Sequence, residues 1–188
     1  RRVLDIQEHH VRDLHSCLAR ERGQVTANRA VQLLRCLFNF GRLERNPASR
    51  AVTMFRERTR DRFVQPHELP KFFKALDDVK TDPAMRDYFY LSLYTGARRS
   101  NVLAMHDEEI NVAAAPWTIP AGKSKSGEPV TLPLSPMALG IIRRRMGHGF
   151  IFPSFGKTGH IVEPKAAWKD VRERAGLPDI RLHDLRRT

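Results

Sequence analysis

The sequence predicts a mainly helical fold with one small antiparallel β-sheet, an all-helical first part being followed by a mixed second part. Three observations carry this expectation. Apolar residues recur at helical spacing through most of the chain. Two short alternating runs, Trp117-Thr118-Ile119 and Val130-Thr131-Leu132, flank a polar, lysine-bearing stretch in the manner of a β-hairpin. The run from Arg56 to Arg62 is almost wholly charged and reads as a linker dividing residues 1–60 from residues 63–188. A solvated helix face accounts for that run equally well.

Val3, Ile6, Val11, Leu14 and Leu18 fall close to one helical face, so a first helix is expected from Val3 to about Arg20, with Gly23 breaking it. Thr26 suits the N-cap of a second helix, whose apolar face would be Ala27, Ala30, Val31, Leu34, Leu37 and Phe38. Gly41 and Asn46-Pro47 close that unit. Gln65-Pro66-His67-Glu68 reads as a helix start, with the helix running to about Val79. Pro83 opens another, rich in core-type residues from Tyr88 to Tyr94. Thr95-Gly96 interrupts it, and Arg98 to Met105 resumes as a short helix. After the hairpin, helices are expected at Ser135–Met146 and Glu163–Ala175, each with a proline near its first turn. Leu182 to Thr188 reads as the opening turns of a last helix.

Of the 188 residues, 41% are hydrophobic and 29% charged, the balance of a folded chain rather than a disordered one. No apolar run is long enough to span a bilayer. The start, Arg1-Arg2-Val3-Leu4-Asp5, has neither an initiator Met nor the apolar stretch of a signal peptide, and it reads as a chain entered partway through. Cys17 and Cys36 lack metal-type spacing and suit reduced, half-buried thiols of a cytoplasmic protein. The eight histidines show no ligand spacing such as H-E-x-x-H, so no metal site is expected.

The formal net charge is +12, from 33 Lys+Arg against 21 Asp+Glu. A surplus of this size points to a polyanionic partner, above all nucleic acid, with solubility as the plainer explanation. Residues 1–64 hold 14 Arg and no Lys, which suits forked contacts to phosphates and base edges.

Three stretches have the makings of chemistry. In Thr95-Gly96-Ala97-Arg98-Arg99-Ser100-Asn101, a glycine releases the chain from an apolar helix and presents two arginines at a new helix start, a favourable place for an anion. A solvated arginine pair would look the same. In Ala121-Gly122-Lys123-Ser124-Lys125-Ser126-Gly127, a turn lysine can reach a DNA groove or give a proton to a leaving oxygen, although most turn lysines are simply hydrated. The Gly122-Lys123-Ser124 triplet is not a phosphate-binding P-loop, because the glycine that motif needs is Trp117 and a strand follows instead of a helix. In Leu182-His183-Asp184-Leu185-Arg186-Arg187-Thr188, His183 and Arg186 are three apart and share a helical face.

Taken together, in this order and on these elements, the three stretches resemble the tyrosine recombinase, or phage integrase, family over nearly the whole chain. Thr95-Gly-Ala-Arg98-Arg-Ser is similar to the family's first-arginine box, and His183-Asp-Leu-Arg186 to its His-x-x-Arg box. Counting back from Val130-Thr-Leu-Pro-Leu134 gives Lys125 as the family's lysine. Thr26-Ala-Asn-Arg29 and Asn46-Pro47 resemble features of the family's helical core-binding domain. The resemblance implies a core-binding domain followed by a catalytic domain that clamp duplex DNA between them. It implies strand cleavage through a 3′-phosphotyrosine bond, with Arg98 and Arg186 on the non-bridging phosphate oxygens, Lys125 protonating the departing 5′-oxygen and His183 assisting proton movement at the tyrosine. No cofactor is implied, since the arginines supply the charge. Implied partners are a double-stranded attachment site and further copies of the chain, up to a tetramer on DNA. Further DNA contacts are expected at Arg29, Lys123, Arg143 and Arg144, with Arg145 in the same run; that run also suits a solvated helix end.

Two departures stand out. The family's acidic residue three after the first arginine is here Asn101. The nucleophilic tyrosine would lie beyond Thr188, because Tyr88, Tyr90 and Tyr94 sit on an apolar helix before Arg98 and read as core. The chain is therefore expected to bind DNA without completing cleavage by itself. The alternatives are a DNA-binding or excision factor without catalysis, and an RNA-binding protein.

Overall fold

The computed structural model describes residues 2–42, 45–57, 59–78 and 80–188. Arg1, Arg58 of the charged run and Val79, the expected end of one helix, lie outside the described residues. The chain divides into two compact units, residues 1–60 and 61–188.

The first unit is a helical hairpin. A short 3-10 turn at Val3–Asp5 precedes helix α1 (Glu8–Arg22), and α2 (Gln24–Phe40) follows after a single residue. That residue, Gly23, has φ +92°, a conformation costly for any side chain, and it lets the chain reverse within one step. Thr26 is consequently not the N-cap. It lies in the first turn of α2, and its hydroxyl donates to the Arg22 carbonyl at 3.1 Å. The helices close on Val11, Val31 and Phe38, with Ala48 and Ala51 of the following loop beneath them. Val3, Leu14 and Leu37, expected on the apolar faces, are instead exposed, and Cys36 is exposed as well. Two polar side chains of the hairpin, His15 and Asn28, are buried.

Asn28 repays its burial with hydrogen bonds. Its carboxamide oxygen accepts from the Phe55 backbone at 3.0 Å and meets His15 Nε2 at 3.2 Å. Its nitrogen donates to the Phe55 carbonyl at 2.9 Å and to Glu57 at 3.0 Å. The His15 ring stacks on Phe55. One amide thus pins the segment leaving the unit to both helices. That segment, from Val52 to Val64, has no helix or strand among its described residues.

The second unit begins with α3 (Leu69–Leu76), later than expected because Pro66–Glu68 forms a turn first. Arg62, read as part of the linker, belongs to this unit: its guanidinium holds Glu68 at 2.6 Å and Asp179 at 2.7 Å. Helix α4 (Pro83–Thr95) starts at an N-cap, Asp82, whose carboxylate accepts from the backbone of Ala84 and Met85. Helix α5 (Arg99–Leu103) is shorter than expected at both ends. Strands β1 (Pro116–Ile119) and β2 (Val130–Pro133) pair antiparallel, with Trp117 opposite Leu132. Helices α6 (Pro136–Arg145) and α7 (Lys165–Arg174) follow, and Leu182–Arg187 is a 3-10 helix.

The core of this unit runs from Phe72 and Leu76 through Tyr88, Phe89 and Leu91 to Trp117, Ile142, Phe152 and Trp168. Helix α4 is its axis, packing against α5, α6 and the terminal 3-10 helix. No helix among the described residues is long and apolar enough to cross a membrane.

Candidate active site

The C-terminal end of α4 positions the first arginine. Gly96 closes α4 in the left-handed region at φ +56° and turns the chain so that Arg98 becomes the N-cap of α5. The Arg98 carbonyl accepts from the backbone of Asn101 and Val102, which fixes the residue's backbone at the helix start. Asn101 itself is buried.

The terminal segment comes to the same place. A Cβ built on Gly96 would lie 3.8 Å from the Arg186 carbonyl oxygen, so the two backbones pass in close contact. In a 3-10 helix, residues i and i+3 eclipse one another, which sharpens the alignment expected of an α-helix. Leu182 and Leu185 face the core, with Leu185 fully buried. His183 and Arg186 form the next row, and both are exposed. Asp184 is buried, its carboxylate accepting from the Arg181 backbone at 2.9 Å.

Neighbouring arginines separate by partner. Arg99 pairs with Glu163 at 3.0 Å and Arg187 with Asp61 at 3.9 Å. The side chains of Arg98 and Arg186 have no hydrogen-bond or ion-pair partner among the described residues. Arg98 is also half-buried. A partly desolvated guanidinium without a protein acceptor is suited to an external anion, which would supply the charge-assisted hydrogen bonds it lacks.

The hairpin turn behaves differently at its two lysines. Lys125 is exposed and without a partner among the described residues. Lys123, expected to touch DNA, is committed inside the protein: its ammonium donates to the Ala104 carbonyl at 2.7 Å and pairs with Glu109. Arg144 and Arg145 are likewise engaged, holding Asp87 at 2.7 and 2.6 Å. Arg143 is exposed on α6. Arg29, in the first unit, bonds Gln32 and Glu57 while most of its side chain stays exposed.

Two of the three tyrosines of α4 are poor nucleophiles. Burial pushes the Tyr88 phenol up to about 12. Tyr90 is raised further, by burial and by its hydrogen bond to Asp77. Tyr94, expected in the core, is exposed near the C-terminal end of α4, where its ring stacks on Tyr90. No cluster of three or more His, Cys, Asp or Glu side chains among the described residues could hold a metal ion.

No motif or spacing in the chain singles out Glu109. It is one of three consecutive acids, Asp107-Glu108-Glu109, and its side chain is only 8% exposed.

A family model described as the phage integrase family matches residues 62–188. The integrase of Salmonella phage P22 is 28% identical over 143 residues, which cover 69% of this chain and 36% of that protein. Prophage integrase IntF of Escherichia coli (strain K12) is 28% identical over 136 residues, covering 68% of this chain and 28% of that protein. The chain thus spans about a third of the length of these curated relatives. A lambda integrase tetramer bound to a Holliday junction matches 97% of this chain and 58% of that one with TM-score 0.71 and 17% identity. The Tn1549 transposon integrase in complex with a circular intermediate DNA matches 99% of this chain and 72% of that one with TM-score 0.80 and 12% identity. At such identities the structural matches establish the fold.

Proposed function

Since this chain belongs to the phage integrase family, we propose that it is part of a site-specific DNA recombinase that cuts and rejoins strands through a 3′-phosphotyrosine bond. The carrying observation is the close pass of Gly96 against Arg186, which supports Arg98 and Arg186 acting on one phosphate. Their lack of partners, beside paired Arg99 and Arg187, is what an anion site needs.

In this reading residues 1–60 are a core-binding domain and residues 63–188 a catalytic domain. Arg98 and Arg186 hold the non-bridging oxygens and stabilise the charge that grows on them. A tyrosine oxygen forms the new bond to phosphorus, and His183 takes up its proton. The P–O5′ bond breaks, its electron pair stays on the 5′-oxygen, and the Lys125 ammonium protonates that oxygen, leaving a neutral amine. In this reading the nucleophile is a tyrosine other than Tyr88, Tyr90 and Tyr94, which all precede Arg98 on α4. The substrate is a double-stranded attachment site, and the protein assembles on it with further copies, up to a tetramer.

The test is covalent capture. A duplex is selected by affinity from a random pool, nicked near its centre and incubated with the protein as its gene encodes it. The expected product is a protein–DNA adduct resistant to denaturation. Lys125→Ala should slow its formation by roughly 10²- to 10⁴-fold, the usual worth of one positioned acid, with DNA affinity retained. If about six phosphates are neutralised, log Kd should change with log salt by a slope near 5 in magnitude. Tight binding with no adduct from any site would favour the DNA-binding factor instead.

A further inference from the structure

The two lysines of the hairpin turn are two residues apart yet differ in surroundings. Lys125 is exposed, whereas Lys123 reaches back into the unit. We propose that Lys123 and Glu109 are a positioning pair for strand cleavage, holding the turn that bears Lys125 at a fixed spacing from Arg98. The inference rests on the reading of Lys125 and Arg98 given above.

Lys123 ends a 3-10 turn, Ala121–Lys123, and its ammonium donates to the Ala104 carbonyl at 2.7 Å. Ala104 is the C-cap of α5, the helix whose N-cap is Arg98. At 1.5 Å per residue, that helix is a strut of about 9 Å between the lysine's anchor and the arginine. Glu109 pairs with the same ammonium through one oxygen. Its other oxygen accepts from Trp117 Nε1 at 3.1 Å, and Trp117 is fully buried in β1. The lysine also lies over the Phe150 ring, 5.9 Å from its centroid. One ion pair thus ties together α5, the Asp107–Glu109 turn, β1 and the hairpin turn.

Stability alone is a weak reason for such a pair. A carboxylate that is 8% exposed has lost most of its hydration, and replacing a buried ion pair by apolar side chains is often neutral or favourable. What an ion pair does supply is register, because it is satisfied only when both partners are correctly placed. Here the register that matters is the distance from a proton donor to a phosphate-binding arginine. A shift of about 1 Å in such geometry can cost on the order of 100-fold in rate.

The test compares two leaving groups in the protein as its gene encodes it. One scissile phosphate has the normal 5′-oxygen. The other has sulfur bridging phosphorus and the 5′-carbon, and a thiolate departs without needing a proton. Lys123→Met and Glu109→Gln should slow adduct formation on the oxygen substrate by about 10- to 100-fold and leave the sulfur substrate near the wild-type rate. Lys123→Arg should recover part of the loss, and either change should add nothing to Lys125→Ala. Equal slowing on both substrates, or no slowing, overturns the proposal. Glu109→Gln keeps the side-chain volume and serves if Lys123→Met does not fold. If sulfur fails to rescue Lys125→Ala itself, the fault lies in the assignment of Lys125, and the proposal falls with it.

Discussion

Asp87 offers a sharp test of how burial sets the worth of a charge. It lies on α4 with its side chain 3% exposed, and its oxygens are held by consecutive arginines of α6. Arg144 donates to one at 2.7 Å and Arg145 Nε to the other at 2.6 Å. The side chains of the two arginines are 53% and 19% exposed. Arg145 also stacks over the Phe152 ring at 5.5 Å. A solvent-screened pair contributes at most about 1 kcal/mol. Stripping the partner from a buried charge costs about 3–5 kcal/mol. Four-fifths buried, Arg145 should couple to Asp87 by roughly 2–3 kcal/mol, somewhat below the fully buried range, and Arg144 by less than about 1 kcal/mol. Double-mutant cycles built from Asp87→Asn, Arg144→Gln and Arg145→Met, read by denaturant unfolding of helix signal, measure both couplings. Asp87→Asn alone should cost about 3 kcal/mol and lower Tm by about 10 °C. Equal couplings, or a larger one for Arg144, would refute the burial argument. The same geometry predicts that Arg143→Ala weakens DNA binding more than Arg145→Met does.

Three further outcomes are expected. Gly96→Ala should cost about 1–2 kcal/mol, because the new methyl meets the Arg186 carbonyl at an ordinary 3.8 Å and only the left-handed φ resists it; a loss several times larger in thermal unfolding would mean that space is the constraint. Asn28→Ala should cost about 2–3 kcal/mol by stranding the Phe55 backbone groups and should speed amide exchange within residues 2–42 and 45–57 while leaving the second unit unchanged. The third concerns acid. The Arg62 guanidinium bonds both Glu68 oxygens and holds that carboxyl below its usual 4.5. A lowered folded pKa stabilises fully above 4.5 and loses that contribution as pH falls through the depressed value. Arg62→Ala should therefore reduce stability near neutral pH and flatten its decline in acid, as followed by unfolding at a series of pH values.

Much of the fold can be read directly from residue pattern. Helical spacing and a proline or serine at each start give α4 and α6 nearly to the residue, and strict alternation about a glycine-bearing turn gives β1 and β2. Helix ends that depart from the pattern have local causes. Gly23 reverses the chain so abruptly that Thr26 falls inside α2, and the Pro66–Glu68 turn delays α3. Leu37 and Leu14 fit the apolar period but face outward, because a hairpin of two helices buries a narrower stripe than the period suggests. The family's sequence signature rests on three short stretches, and the integrase membership established by the family match agrees with it.

Which charges are spoken for is decided only by tertiary structure. Lys123 and Lys125 are alike as letters, as are Arg98 and Arg99, or Arg143 and Arg144. Each pair divides because an acid from elsewhere in the chain reaches one member: Glu109 to Lys123, Glu163 to Arg99, Asp87 to Arg144. Periodicity is a property of neighbours along the chain, and it fixes which side of an element is apolar. Ion pairing depends on through-space distances of a few ångströms between residues 14 to 64 positions apart, and those exist only once the second unit has folded.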